Sequence, residues 1–387
     1  MGSKFIGTKK LILLWTTLLM LSLACEAQDD RRSRRVSVSA APSLEIHLGD
    51  LGYKGVREYK YPGNGISSDL SILNDDSKKR LTFIDEKTLV VYQSHYQTQV
   101  QKEGSPESRS LEAFFVNPQT GGLISRKTWP TVKRRWLNER WDTQARIMAV
   151  NGGYLVHASN LLALYSTGLE LKRKIALEDG PRWAVSVAPL GRTFHLQRIQ
   201  DDNQAEGEWF DSDTLVKLRS QYEMAGVTSA SDQAIVDKLA HCVQLQRVGE
   251  TPRNLYCADA SHLGLPLFLS DSEVLSVHGK GFALFSTDGE KLWGREVPDA
   301  RPVANHKRSL NGGRFGILIR GRAAFDQVDV PKEQSAIFVY DRSTRARIFL
   351  LILGHGESVS DFDLCPNGSM LAVLVGETVR LYKLPSL

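Results

Sequence analysis

The chain has 387 residues, with 49 Lys and Arg against 44 Asp and Glu and a formal net charge of +5. That balance is too mild to argue for nucleic acid, which selects strongly basic surfaces, so no nucleic-acid partner is expected. The nine histidines include no pair at helical or hairpin metal spacing, and no cysteine sits close enough to form a zinc knuckle; neither a metal nor a cofactor is expected.

At the N-terminus, Lys4, Lys9 and Lys10 precede an uncharged run over residues 11–24. The run is too short to span a bilayer comfortably and right for the apolar core of an export signal. Residues 1–27 are therefore read as a signal peptide cleaved after Ala27, and the mature protein as exported, either secreted or periplasmic. A second reading cuts before Cys25 and leaves a lipid anchor on that thiol, although Ser22 stands where lipoprotein signals favour an aliphatic residue. Cleavage after Ala27 leaves 46 basic and 43 acidic residues. Residues 28–43 carry Arg31, Arg32, Arg34 and Arg35 among Asp, Ser and Ala, with no hydrophobic period, and read as a disordered linker. Contact of these arginines with an anionic surface is the alternative. No second hydrophobic stretch of spanning length follows.

Residues 44–387 read as one domain, because short turns rich in Gly, Asn, Asp and Ser, flanked by apolar residues, recur through it at a nearly constant interval. They are Asp85-Glu86-Lys87, Asn151-Gly152-Gly153, Leu190-Gly191-Arg192, Ser231-Asp232-Gln233, Asp271-Ser272-Glu273, Asn311-Gly312-Gly313 and Pro366-Asn367-Gly368. Most steps are near 40 residues, the span of a four-stranded propeller blade. A second series runs in its own phase. Phe114-Phe115-Val116 leads into Gln119-Thr120-Gly121-Gly122, and Leu162-Ala163-Leu164-Tyr165 into Ser166-Thr167-Gly168. Phe282-Ala283-Leu284-Phe285 before Thr287-Asp288-Gly289 and Ile337-Phe338-Val339-Tyr340 before Arg342-Ser343-Thr344 repeat the pattern. Apolar β-formers that stop at such turns signal hairpins. The expectation is an all-β fold, a seven-bladed β-propeller, in which each blade packs mainly on its neighbours. The last repeat has strands at about 359–364, 370–375 and 378–384 and no outer strand. The alternating Leu44-Glu45-Ile46-His47-Leu48 would supply it and close the ring, removing an exposed edge; the alternative is a loose N-terminal strand.

Within the last repeat, Gly354-His355, then Val359-Ser360-Asp361-Phe362-Asp363-Leu364-Cys365-Pro366-Asn367-Gly368-Ser369, and finally Thr378-Val379-Arg380-Leu381-Tyr382 resemble one blade of the WD-repeat family. In that family the Gly-His pair and a later Asp and Trp form a structural hydrogen-bond set. Here Tyr382 stands where Trp is usual, and Glu377 lies near the expected Asp. Thr287-Asp288-Gly289-Glu290-Lys291-Leu292-Trp293, following Phe282, resembles the strand-turn-strand unit of quinoprotein-type repeats. The two resemblances imply a propeller of a bacterial exported type. They cover about two blades and import no activity.

In a blade, the second-to-third connection and the blade-to-blade linker emerge on one face, and the tight turns on the other. The long insertions, 94–110, 200–207, 321–335 and the linkers 130–144, 220–226 and 298–307, all fall on the first face, which is the candidate working face. Its most distinctive part alternates Trp129, Trp136 and Trp141 with Lys133, Arg134, Arg135 and Arg140. The plain reading has the tryptophans wedged between blades and the cations as solvated stems. The sharper one has rings stacking on sugars or peptide side chains while arginines pair with carboxylates. No Gly-x-Ser-x-Gly elbow or other catalytic motif is present. The expected function is a non-catalytic binding or assembly module of a bacterial-type envelope, monomeric, with a protein or glycan ligand. The alternative is a carbohydrate-active propeller enzyme, either a glycosidase or a lyase, working through two carboxylates.

The last expectation is a disulfide. Taking Gly249-Glu250 as a two-residue hairpin turn places Cys242 opposite Cys257 on neighbouring strands, where a bridge can form in an oxidising compartment; two buried thiols are the alternative. Cys365 would stay free and buried.

Overall fold

The computed structural model describes residues 41–53, 79–97, 108–131, 145–158, 160–178, 182–199, 205–218, 232–237, 242–247, 251, 253–257, 266–278, 281–296, 303–321 and 323–386. The signal peptide, Cys25, nearly all of the linker, the Gly249-Glu250 turn, and the stretch from Lys133 to Trp141 lie outside them.

The chain is all-β and forms a β-propeller of antiparallel sheets taken in sequence order. The first sheet holds Arg80–Asp85, Thr88–Gln97, Ser108–Val116 and Leu123–Thr131. The second holds Arg146–Val150, Gly153–Ala158, Leu161–Ser166 and Leu171–Ala176. The third holds Arg182–Val187, Thr193–Ile199 and Ala205–Asp211, and the fourth Asp232–Asp237, Cys242–Arg247 and Arg253–Cys257. Leu267–Ser270, Glu273–His278, Gly281–Ser286 and Lys291–Glu296 make the fifth. Asn305–Arg308, Arg314–Arg320, Ser335–Asp341 and Arg347–Ile352 make the sixth. In the last sheet Val359–Leu364, Met370–Val375 and Thr378–Lys383 are joined by Leu44–His47, which pairs antiparallel with Thr378–Lys383.

The first strand of each sheet is innermost. Arg80–Asp85 touches both Arg146–Val150 and Val359–Leu364, and the latter touches Asn305–Arg308. The expectation of seven blades is corrected here. Six blades built on an axial strand stand among the described residues, whereas Asp232–Asp237, Cys242–Arg247 and Arg253–Cys257 form a three-stranded sheet that adds no axial strand to them. Asp232 is accordingly already in a strand rather than in a turn. In the third sheet Lys217 forms a bridge with Phe210 beyond a turn in which the Asp211 carboxylate accepts the amides of Asp213 (3.1 Å) and Thr214 (2.9 Å).

Middle strands are apolar on both faces because each sheet is sandwiched between two others; Gly153–Ala158 is buried throughout. Outer strands are not, and Leu171–Ala176 exposes Lys172, Arg173 and Lys174 along a free edge, the usual guard against edge-to-edge pairing. Neighbouring sheets enclose cores between them. Phe282, Phe315, Phe338 and Tyr340 fill the gap between the fifth and sixth, and Leu81, Phe83, Leu374 and Leu381 the one between the last and first.

The insertion at 321–335, expected as a working-face loop, folds back as a small hairpin, Ala323–Phe325 with Val328–Val330. Phe325 is fully buried against Phe282 and Phe338. Asp326 binds Arg295 at 3.0 Å and Arg347 at 3.1 Å and accepts the Tyr340 hydroxyl at 3.2 Å. This segment serves packing.

Cys242 and Cys257 face one another and are bonded, and Cys365 is a buried free thiol. The pairing nearest the turn, Leu245 with Arg253, is shifted by one residue from the two-residue-turn register, and a bulge between Val243 and Gln244 restores it at the cysteines. Thiol titration of the unfolded, unreduced protein from residue 28 onward should find one reactive cysteine, Cys365; three would exclude the bridge.

The WD-like hydrogen-bond set does not form. His355 is exposed and pairs with Glu333, while Tyr382 is buried. Glu357 takes over: it accepts the Gly354 amide at 2.9 Å and two Arg380 nitrogens at 2.7 and 3.1 Å. Arg380 also reaches Glu45 at 3.0 Å, tying down Leu44–His47, and its hydrogen bonds hold the Glu357 carboxyl below its ordinary range.

Candidate functional site: the mouth of the propeller axis

The two ends of the axis differ. At the tight-turn end, backbone hydrogen bonds run from turn to turn: Asn151 N–H to Gly191 O (2.8 Å), Leu190 N–H to Leu310 O (3.0 Å) and Asn311 N–H to Pro366 O (3.1 Å). Arg308 adds three more bonds, to Ser309 O (3.3 Å), Leu310 O (3.1 Å) and Val187 O (3.1 Å), and its burial lowers its pKa to about 10. This end is knitted shut.

The opposite end is where the axial strands begin. Of the six described axial strands, four open on a polar residue: Arg80, Arg146, Arg182 and Asn305. The charges meet because the strands converge on the axis. Asp361 accepts the Leu81 amide at 3.0 Å and the Asn305 side-chain amide at 3.1 Å, and lies 3.5 Å from Lys307 Nζ. Asp363 accepts the Phe83 amide at 2.9 Å. The two carboxylates stand two residues apart on one strand, so they share a face, and they satisfy backbone donors that the first sheet leaves unpaired.

Burial is felt throughout. It raises the Asp363 pKa to about 6, against the pull of Lys307 and the Phe83 amide. A folded-state value above the ordinary 3.8 means that this carboxyl favours the fold most when protonated; the contribution is complete below about pH 3.8 and is lost as pH rises through about 6. Burial opposes the Lys307 charge, but Asp361 and Asp363 outweigh it and raise that pKa. Lys307 nevertheless keeps 30 % of its side chain accessible. Tyr92, opposite Arg80 in register, has its hydroxyl 3.5 Å from Ile147 O and its pKa raised by burial.

Among the described residues, neither Arg80 nor Arg146 has a hydrogen bond or ion pair, and the buried Arg146 Nε has no partner. Burial lowers the Arg146 pKa first, and repulsion from Arg80 lowers it further, against the smaller pull of Tyr92 and Asp361.

Of the seven residues expected to form a binding surface, only Trp129 is described, and it is a wedge rather than a platform. It is 6 % exposed, its Nε1–H donates to the Tyr165 hydroxyl at 2.8 Å, and the two rings meet edge-on at 5.8 Å between the first and second sheets. Pro130 follows in the outermost strand, where a missing amide is tolerated. Lys133, Arg134, Arg135, Trp136, Arg140 and Trp141 lie outside the described residues. Sequence reasoning missed the axial cluster; its signal was a charged residue opening an otherwise apolar strand, at Arg80 and again at Arg146.

No protein-family model and no curated protein sequence matches the chain. Solved structures similar to it include the C-terminal WD40 domain of Sif2, at 12 % identity over 80 % of this chain and 97 % of that one, with a TM-score of 0.43. The beta-propeller domain of Myceliophteria thermophila Cps50 (Swd1) is similar at 9 % identity over 80 % and 97 %, with a TM-score of 0.48. A chain of the mitotic checkpoint complex is similar at 11 % identity over 91 % and 94 %, with a TM-score of 0.46. At these identities and TM-scores the likeness carries no functional inference.

Proposed function

We propose that this propeller is a non-catalytic binding or assembly module, exported by its N-terminal segment, that engages a protein partner on the long-loop end of its axis. The observation that carries this reading is the asymmetry of the two ends: turn-to-turn hydrogen bonds and Arg308 seal one, and arginines without partners among the described residues stand at the other. A glycan ligand is the other outcome for the same face. The reading includes ring closure by Leu44–His47 and a monomeric state, with Cys25 either removed with the signal or lipidated.

Replacing Arg134, Arg135 and Arg140 together with Ala should weaken capture of the partner from envelope extract, and of any glycan on an array. The melting temperature should move by only a degree or two, since exposed charges add little to stability. Unfolding of the triple variant would make the stretch structural and end its part in the proposal.

One observation favours the carbohydrate-active alternative: Asp363, with its raised pKa of about 6, has the character of a general acid beside a second carboxylate. Both carboxylates, however, are held by backbone amides of the first sheet. Turnover of a glycan by the wild type, abolished in Asp361→Asn and Asp363→Asn, would establish the enzyme instead.

A further inference from the structure

Among the described residues, the axial mouth has more positive charge than its carboxylates neutralise. Arg80, Arg146 and Lys307 face Asp361 and Asp363, and the only ion pair among these five described residues is that of Lys307 with Asp361. Arg80 and Arg146 open the axial strands of neighbouring sheets, so they stand at the same level at the same end, close enough to repel each other. Tyr92 packs beside them and spans from the first sheet to the backbone of the second. Asp361 is the carboxylate that pulls on Arg146, and it already pairs with Lys307. A partly buried guanidinium that shares its counter-charge is costly, and a bound anion would relieve that cost.

We propose that Arg80 and Arg146, with Lys307 behind them, form a receptor for an oxyanion, a carboxylate or phosphate group presented along the axis. The planar fork of arginine suits either group through paired, charge-assisted hydrogen bonds, which a lone lysine cannot supply. Asp361 and Asp363 hold Lys307 and the edge of the first sheet in place, and Asp361 also pulls on Arg146, so that among these five residues one positive charge is left over at the two arginines. The proposal rests on reading the long-loop end as the working end only for the side from which the anion enters.

Calorimetric titration of the full mature chain with inorganic phosphate, sulfate and acetate, against sodium chloride at matched ionic strength, tests it. Saturable binding of at least one oxyanion is expected, with the phosphate and acetate arms telling a phosphate receptor from a carboxylate one. Arg146→Gln and Arg80→Gln should each weaken that binding roughly tenfold or more, the loss of one charge-assisted hydrogen bond or pair. Arg173→Gln, on the exposed outer strand of the second sheet, should leave it unchanged. The three variants are first compared by melting curve, and either arginine variant that stays folded suffices. The absence of saturable binding by folded wild type overturns the proposal, as does equal binding by a folded Arg80 or Arg146 variant. The interaction reading of the long-loop face would survive that result, because the triple variant at 134, 135 and 140 tests it separately.

Discussion

Replacing Asp361 with Ala should lower the free energy of unfolding by about 3–5 kcal/mol, the usual cost of breaking a buried ion pair from one side. The carboxylate is only 8 % exposed, and three donors converge on it from two other sheets: the Leu81 amide, the Asn305 amide and Lys307. Alanine leaves all three in place with nothing to accept them. Asp361→Asn keeps an oxygen for one of the two amides and removes the charge, so it should cost less than Ala. Urea denaturation of the two variants checks the order. A loss below about 1 kcal/mol in the alanine variant would mean that water screens the cluster as it does a surface pair.

Gly312→Ala should be comparably damaging, and for two independent reasons. The residue has φ of 68°, and a Cβ there would lie 1.7 Å from the backbone oxygen of Leu269 in the neighbouring sheet. The left-handed conformation alone costs about 1–2 kcal/mol for a residue with a side chain. The overlap is with backbone, which no rotamer change relieves, and the turn belongs to the sealed end of the axis. A total loss of about 2–5 kcal/mol follows, since overpacking adds about 1–3 kcal/mol. Gly356→Ala is the matched control. Its φ is 79°, yet no atom lies within 4 Å of the added carbon, so only the conformational cost of about 1–2 kcal/mol remains. Equal thermal destabilisation of the two variants would show that the contact with Leu269 is not there in solution.

Much of the architecture was legible because hairpin turns are local. Asp85-Glu86-Lys87 turns the chain through a bond from the Lys87 amide to the Asp85 carboxylate (2.7 Å), and Asn311 does the same for Gly313 (2.9 Å). Such turns depend on a few adjacent residues, and their spacing shows in one dimension. The facing of Cys242 and Cys257 came from the same local counting, although a bulge and a shifted turn had to cancel for it to hold.

The candidate site was not legible in this way. The tryptophan and cation stretch draws attention because its composition is unusual, yet Trp129 is interior. The axial cluster lacks any local signature: Arg80 and Arg146 each look like an ordinary charge at the edge of a strand. The Leu81 amide meets the Asp361 carboxylate 280 residues away. The hairpin within 321–335 escapes sequence reasoning for a similar reason, since its length announces a loop while Phe325 and Asp326 find partners in two different sheets.

The all-β class, the repeat length, the position of most turns and the cysteine pairing follow from the order of residues alone, because all are consequences of short-range backbone preference and of apolar runs that need two covered faces. Which end of the axis is sealed, which insertion packs inward and which charges meet without partners are matters of three-dimensional packing. They depend on which strands pair across the chain, as Leu44–His47 does with Thr378–Lys383, and on burial that makes the charge of an unremarkable arginine costly.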